Sequence, residues 1–149
     1  MNKLLSTKKI LFSIPLIIIG LTMVIMGFQW ISSEEPWMLD KIANEERLEM
    51  SFDELFKPSI NDTLPGYLKQ IYRFFGLWVM IIGLFILSFS RGDIIEYQKV
   101  RFNLIFCVGI MVYSGLILAY ILIPSSPFIY LGWFSILMHF ISVWNYKKF

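Results

Sequence analysis

The stretch FNLIFCVGIMVYSGLILAYILI, residues 102–123, contains no Asp, Glu, Lys, Arg or His. About 20 residues at 1.5 Å per residue form a helix long enough to cross roughly 30 Å of hydrocarbon. The stretch is continuously apolar, whereas a strand of a membrane barrel alternates between apolar and polar residues. Because backbone groups in lipid must be satisfied within the segment, the stretch predicts a transmembrane α-helix.

Three more long apolar windows occur, at residues 10–31, 71–90 and 127–146, with Arg73 in the second of the four windows and His139 in the fourth. The chain of 149 residues is 57% hydrophobic and only 16% charged, whereas a soluble domain is about 25% charged. The first window is about twice as long as the core of a typical signal peptide, so we expect it to be retained. The sequence predicts an all-α membrane protein: a single domain over residues 1–149, folded as an antiparallel bundle of four transmembrane helices.

Basic residues predict the orientation of these helices. They lie at the amino end, between the second and third windows, and at the carboxyl end: Lys3, Lys8, Lys9, Arg91, Lys99, Arg101, Lys147 and Lys148. Because basic residues favour the cytoplasmic side, we expect both termini to be cytoplasmic and the loop 32–70 to be outside. A plasma membrane or a bacterial inner membrane is the expected location.

The long loop is acidic and is expected to contain local structure, because long unstructured loops are uncommon in compact domains. Residues 34–50 read as a helix with Met38, Leu39, Ile42 and Ala43 near one face. Ser51 and Glu54 have the spacing of a capping box, and LPGY at 64–67 is expected to end the loop. One or two short amphipathic helices should therefore lie over the outer mouth of the bundle, on the helix ends or on lipid headgroups.

Two other features of the loop have alternative interpretations. The acids lack the glycine and the alternating spacing of a calcium loop, so a solvated acidic face is favoured over a metal site. A docking surface for a basic partner stays open. NDT at 61–63 matches a glycosylation sequon at Asn61 on the predicted outer side.

His139, the only histidine, lies near the middle of the fourth window. Charging it there would cost about 3 kcal/mol, so we expect a neutral ring with one donor and one acceptor to satisfy. Candidate partners at similar depth are Thr22, Tyr113, Ser114 and Ser135. Three interpretations stay open: a packed histidine, a site for a lipid-like or quinone-like ligand, and proton handling.

Arg73 lies one turn inside the second window. Its side chain can extend to the headgroups, turn inward toward Gln29, or reach an acid of the loop such as Glu34. An inward Arg73 with Gln29 and Tyr72 would form a polar mouth for an anionic headgroup.

Glycines indicate where helices approach each other closely. Gly20 and Gly27 are seven residues apart in the first window, and Gly76 and Gly83 are seven apart in the second. A spacing of seven keeps both glycines on one helix face, which predicts a seam for close packing.

IYRFFGLWVMIIGLFIL at 71–87, followed by a third window, a short proline-containing turn and a fourth window, resembles the DoxX-like group of small four-span membrane proteins. The resemblance implies a four-helix membrane architecture. It implies no single activity.

The sequence favours a non-enzymatic role. No paired acid and base, metal-ligand cluster or activated nucleophile occurs within the windows, and a lone Cys107 forms neither an internal disulfide nor a CxxC site. We expect no cofactor, no metal and no nucleic-acid partner. The first hypothesis is an accessory or structural subunit that contacts a membrane protein or a second copy in the bilayer. The alternative is a binding module for a lipid-like or quinone-like molecule.

Overall fold

The computed structural model describes residues 2–147, with side chains from Thr7 onward. Lys148 and the side chain of Lys3 therefore lie outside the described residues. The described chain is helical and contains no strand. Its helices are α1 (Asn2–Ser32), α2 (Lys41–Leu48), α3 (Phe52–Phe56), α4 (Leu64–Phe89), α5 (Gln98–Leu122) and α6 (Phe128–Asn145), with short 3₁₀ turns at Pro36–Asp40, Ser59–Asn61 and Ile94–Glu96.

Four of these helices, α1, α4, α5 and α6, are long and apolar enough to cross a membrane. The predicted all-helical class with four candidate spans is therefore confirmed. The start of the second span is corrected, because α4 begins at Leu64 and not near residue 71. LPGY does not end the loop but forms the first turn of α4. Proline is tolerated there because N–H groups in the first turn of a helix have no partner within the helix, so the N–H that Pro65 lacks costs no hydrogen bond.

Helix α1 has more contact with the other long helices than any of them has with the rest. It packs extensively on α4 and also on α6, and α6 packs on α5. Residues near the start of α1 meet the end of α6, as in the hydrogen bond from the Ser142 hydroxyl to the Phe12 carbonyl. The contact between the Trp30 and Phe128 rings joins the opposite ends, so the two helices run antiparallel. Helix α4 hardly touches α5, which leaves the spatial order α4, α1, α6, α5.

The glycine seam between α1 and α4 is confirmed in detail. A Cβ on Gly27 would lie 2.5 Å from the Gly76 carbonyl oxygen, and a Cβ on Gly83 would lie 2.7 Å from the Gly20 carbonyl oxygen. Distances this short do not occur for real Cβ atoms, so only glycine allows the two backbones to approach this closely. Gly20 lies against Gly83 and the later Gly27 lies against the earlier Gly76, so α1 and α4 are also antiparallel.

Residues 33–63, called the cap below, fold over the ends of the long helices. The rings of Trp37, Phe52 and Phe56 contact one another and form the apolar centre of the cap. Ser51 and Glu54 form the reciprocal hydrogen bonds of a capping box at the start of α3, which confirms that prediction. We call this end of the helices the cap end, and the opposite end, which holds the 91–97 link, the link end.

The face of the cap that packs on the helices differs from the one suggested by the sequence. The structure buries Pro36, Trp37, Asp40 and Ala43. Met38, Leu39 and Ile42 are exposed, as contact with lipid headgroups would require. The difference arises because residues 36–40 form a 3₁₀ turn, which has three residues per turn and rotates the buried face relative to an α-helix.

At the link end, Arg101 is buried, with 5% of its surface exposed. Its Nη1 donates to the carbonyls of Ile95 and Glu96 at 2.8 and 3.0 Å, and its guanidinium lies 6.0 Å from the centroid of the Tyr146 ring. Arg101 therefore holds the link against the ends of α5 and α6.

Candidate functional site

His139 is buried between α5 and α6, with 5% of its surface exposed. Its Nε2 lies 2.8 Å from the Ile105 carbonyl oxygen, and its Nδ1 lies 3.3 Å from the Tyr113 hydroxyl. Since a carbonyl only accepts, the Nε2 N–H donates to it, and the Tyr113 hydroxyl can donate to an unprotonated Nδ1. Both ring nitrogens therefore have hydrogen-bond partners within the protein.

Gly109 makes this arrangement possible. A Cβ at this position would lie 3.0 Å from His139 Cε1 and 3.1 Å from its Nε2. Among the four candidate partners, the structure selects Tyr113, while Thr22, Ser114 and Ser135 do not bond to the ring. The Ser114 and Ser135 hydroxyls instead donate to carbonyls of their own helices. The sequence did not predict the Ile105 carbonyl as the acceptor for His139, because every residue of a neighbouring helix carries a backbone carbonyl and the residue types do not distinguish between them.

A shallow apolar groove of about 560 Å³ runs along the outer side of α5 and α6 beside this pair. His139 and Tyr113 are its main polar lining residues, together with Ser114. Because each ring nitrogen of His139 already has a partner, the groove offers a ligand little beyond apolar contact and the Tyr113 hydroxyl.

The structure does not bring Arg73, Gln29 and Tyr72 together as one polar mouth. Arg73 Nη2 lies 3.8 Å from Glu34 Oε1, which is the loop acid proposed as one alternative. Lys69 also pairs with Glu34, and its hydrogen bond and charge lower the pKa of that carboxyl. Tyr72 lies beside Asn44 and Asp40 of the cap, and Gln29 is exposed.

A buried polar cluster under the cap was missed by the sequence analysis. Asp40 is 8% exposed, and its Oδ2 accepts a hydrogen bond of 2.8 Å from the Ser126 hydroxyl in the turn between α5 and α6. Burial raises the pKa of Asp40, and the Ser126 hydrogen bond opposes that rise. Asp40 Oδ1 and Trp30 Nε1 are buried with no hydrogen-bond partner among the described residues. The acid fell within a run of exposed acids, so nothing in the local pattern marked it as buried.

A second apolar depression, called the α5 cleft below, follows the side of α5 that faces α4 and α1. Three adjoining cavities of about 260, 270 and 240 Å³ form it, and neighbouring cavities share Cys107 or Met111. They extend from Val100 at the link end to Ala119 at the cap end, which is about 28 Å along a helix. At the link end the cleft lies between α4 and α5, which have little contact, and at the cap end it is bounded by α1, α5 and α6.

The lining of the α5 cleft is almost entirely apolar. Phe85, Ile86 and Phe89 form one wall, and Leu104, Val108 and Met111 form the other. Its polar lining residues are Asn103 at the link end, Cys107 and Ser135, and the Ser135 hydroxyl is already bonded to the Leu131 carbonyl. Gly115 leaves space at the cap end, where a Cβ would meet nothing within 4 Å, whereas a Cβ on Gly132 would lie 2.7 Å from Leu116 Cδ1. Such a depression fits a long apolar molecule better than a polar substrate.

Within residues 2–147, no group of three or more His, Cys, Asp or Glu side chains could hold a metal ion. Comparison of the chain with protein-family models, characterised proteins and solved structures finds no match. The resemblance to the DoxX-like group therefore stays a prediction.

Proposed function

We propose that the chain is a small integral membrane protein without enzymatic activity, which binds a lipid-like molecule along the α5 cleft. The observation that carries this proposal is the cleft itself, a row of three adjoining apolar cavities that follows about 28 Å of α5, beside α4 at the link end and beside α1 and α6 at the cap end. That length matches the hydrocarbon thickness of a bilayer, so an elongated apolar guest can follow the helix over its whole crossing.

In the proposed topology, the four long helices cross the membrane as an antiparallel bundle, with both termini cytoplasmic and the cap outside. The basic residues at the link end and the acidic cap at the other end support this orientation. The test replaces Cys107 with Ser and introduces single cysteines by Ile60→Cys in the cap or Asp93→Cys in the link. A membrane-impermeant maleimide should label only the Ile60→Cys protein in intact cells. Labelling of the Asp93→Cys protein alone would reverse the orientation.

The internal satisfaction of the polar groups supports binding over catalysis. His139 has both ring nitrogens occupied, and Arg73 is paired with Glu34. A general acid or base must be free to exchange a proton with a substrate within hydrogen-bond reach. The α5 cleft contains no ionisable side chain other than the Cys107 thiol. Its lining therefore suits binding of an apolar molecule and supplies no acid–base pair for a reaction.

The experiment that tests the proposal fills the cleft. Cys107→Trp and Gly115→Leu place large side chains in its middle and at its cap end, whereas Leu118→Trp adds the same bulk to an exposed face of α5 outside the cleft. Each protein is purified in a mild detergent and bound lipid is counted by native mass spectrometry. We expect the filled variants to lose the lipid that the parent protein and Leu118→Trp retain. Equal retention by all four proteins contradicts lipid binding in the cleft.

An accessory subunit is the second candidate, and the surface of the cap favours it. Its outward carboxylates are exposed and free to meet a basic partner: Glu35, Glu49, Asp53 and Asp62. The cap is also fixed on the helices through Asp40 and Ser126, so a partner would meet an ordered surface. Neutralising these four acids with Gln or Asn should abolish stoichiometric copurification of a second membrane protein from native membranes, and unchanged copurification would argue against this role.

A further inference from the structure

We propose that the guest of the α5 cleft is a phospholipid with an anionic headgroup, held at the link end by Arg91 and Lys99. This inference rests on the proposed lipid-binding function and adds the headgroup class and the end at which it binds. An acyl chain would follow the apolar walls, and the phosphate would meet the two cations where the cleft reaches the membrane surface.

The two cations lie close in the chain to residues that line the two walls of the link-end cavity. Phe89, the last residue of α4, lines the cavity at the link end, and Arg91 follows it by two residues. On the other wall, Asn103 lines the same cavity, and Lys99 lies four residues earlier on the same face of α5. An anionic group at this mouth of the cleft therefore has a basic residue near each wall.

Arg91 and Lys99 are also available to a ligand. Both are exposed, and neither makes a hydrogen bond or an ion pair with another side chain in the part of the chain that the structure describes. Two further cations near this end are engaged: Lys9 pairs with Glu96 at 2.7 Å, and Arg101 bonds to the link carbonyls. Of the two acids in the link, Glu96 is paired with Lys9, which leaves Asp93.

The chemistry of these side chains favours a phosphate headgroup. A guanidinium binds phosphate oxygens through two parallel hydrogen bonds, and an ammonium adds a point charge. Asn103 supplies an amide within the cavity, which can reach the ester oxygens below the phosphate. A zwitterionic headgroup would place its own cation beside Arg91 and Lys99, so the mouth should select against it.

The test offers the purified protein an equimolar mixture of phosphatidylglycerol and phosphatidylcholine and measures the retained ratio by native mass spectrometry. We expect the parent protein to retain mainly phosphatidylglycerol. The double variant Arg91→Gln/Lys99→Gln should lower the ratio by about fivefold for each removed charge. The control Arg47→Gln/Lys57→Gln, which removes one Arg and one Lys from the cap, should leave it unchanged. The charge-conserving Arg91→Lys/Lys99→Arg protein should keep the preference.

The outcomes separate this inference from the proposed function. If Cys107→Trp removes both lipids while Arg91→Gln/Lys99→Gln keeps the parent ratio, the headgroup assignment is wrong and lipid binding in the cleft stands. If Cys107→Trp retains both lipids, the proposed function itself fails. If the parent protein carries no lipid and a dimer is lost on Cys107→Trp substitution, a second copy occupies the cleft and both proposals are overturned.

Discussion

The backbones of Gly27 and Gly76 touch: a Cβ on Gly27 would lie 2.5 Å from the Gly76 carbonyl oxygen and 2.6 Å from the Met80 nitrogen. About two helical turns away on the same pair of helices, Gly20 and Gly83 make an equivalent contact. This seam fixes the distance between α1 and α4, whereas α4 has little contact with α5. The link end of the α5 cleft lies between these two poorly contacting helices.

Gly27→Val should force α1 and α4 apart. The new side chain meets backbone atoms of α4, which cannot move aside as a flexible side chain can, so we expect a loss of about 1–3 kcal/mol in the free energy of unfolding. The measurement is reversible unfolding in detergent micelles followed by tryptophan fluorescence.

Gly115→Ala is the matched control for the seam. It also lies in a long apolar helix, but a Cβ there meets nothing within 4 Å. Alanine should raise the stability of this helix by up to about 1 kcal/mol because its backbone is less flexible than that of glycine. If Gly27→Val and Gly115→Ala shift the unfolding transition in the same direction by the same amount, close packing of the seam is not what holds α1 to α4.

His139→Leu should remove two hydrogen bonds that join α6 to α5, those to the Ile105 carbonyl and to the Tyr113 hydroxyl. Interhelical hydrogen bonds in membranes contribute about 0.6 kcal/mol on average, so we expect a loss of about 1 kcal/mol. Tyr113→Phe should cost less, because it leaves the stronger bond to Ile105 in place.

The double variant His139→Leu/Tyr113→Phe measures the coupling between the two side chains. We expect the combined loss to be smaller than that of the two single variants taken together, because they share one hydrogen bond. Additive losses would mean that the two groups do not interact in the folded protein.

Ser126→Ala should release the cap. The hydroxyl is the only hydrogen-bond donor to the buried Asp40 carboxylate among the described residues, and it also accepts from the Phe128 N–H. Leaving a buried carboxylate without this donor should cost about 1–3 kcal/mol. Limited proteolysis of residues 33–63 reports the release. Ser125→Ala, whose hydroxyl contacts the exposed Glu46, is the control and should leave the rate of cleavage near that of the parent protein.

Asp40 should make the stability of the cap depend on pH. Because burial raises its pKa above the ordinary value of 3.8, the folded protein holds this proton to a higher pH than the unfolded chain does. The contribution of Asp40 is therefore most favourable below pH 3.8 and is lost as pH rises through its pKa in the folded state.

Asp40→Asn removes the charge and keeps an oxygen that can accept from Ser126. Relative to the parent protein, it should gain stability as pH rises from about 4 to about 7. The unfolding temperatures of the two proteins, measured across this range, give the comparison. Parallel curves would show that Asp40 does not titrate differently in the folded state.

The pH dependence that Glu34 contributes has the opposite sign. Because its pKa is lowered in the folded protein, its pairing with Lys69 contributes stability above the ordinary value of 4.5, and this stability is lost as pH falls below that value.

The sequence predicted correctly those features that depend only on residues within one short segment of the chain. The four apolar windows, the capping box of Ser51 and Glu54, and the paired glycine spacings depend on residues within one helix, and each appears in the structure. Depth in the membrane predicts four candidate partners for His139, and Tyr113 is the one that contacts it. For Arg73, Glu34 is one of three predicted alternatives and lies 3.8 Å from the guanidinium.

The sequence alone determined the helical class, the four segments that can cross a membrane and the small residues at which helices can meet. Only the tertiary structure decided that α1 lies between α4 and α6, that α5 stands apart from α4, and that Asp40 is buried on Ser126. The physical reason is that hydropathy and helix periodicity act within one segment, whereas lateral order depends on which faces fit one another. All four long helices are apolar, so burial of apolar surface does not distinguish between their possible neighbours, and close contacts at single residues make the choice.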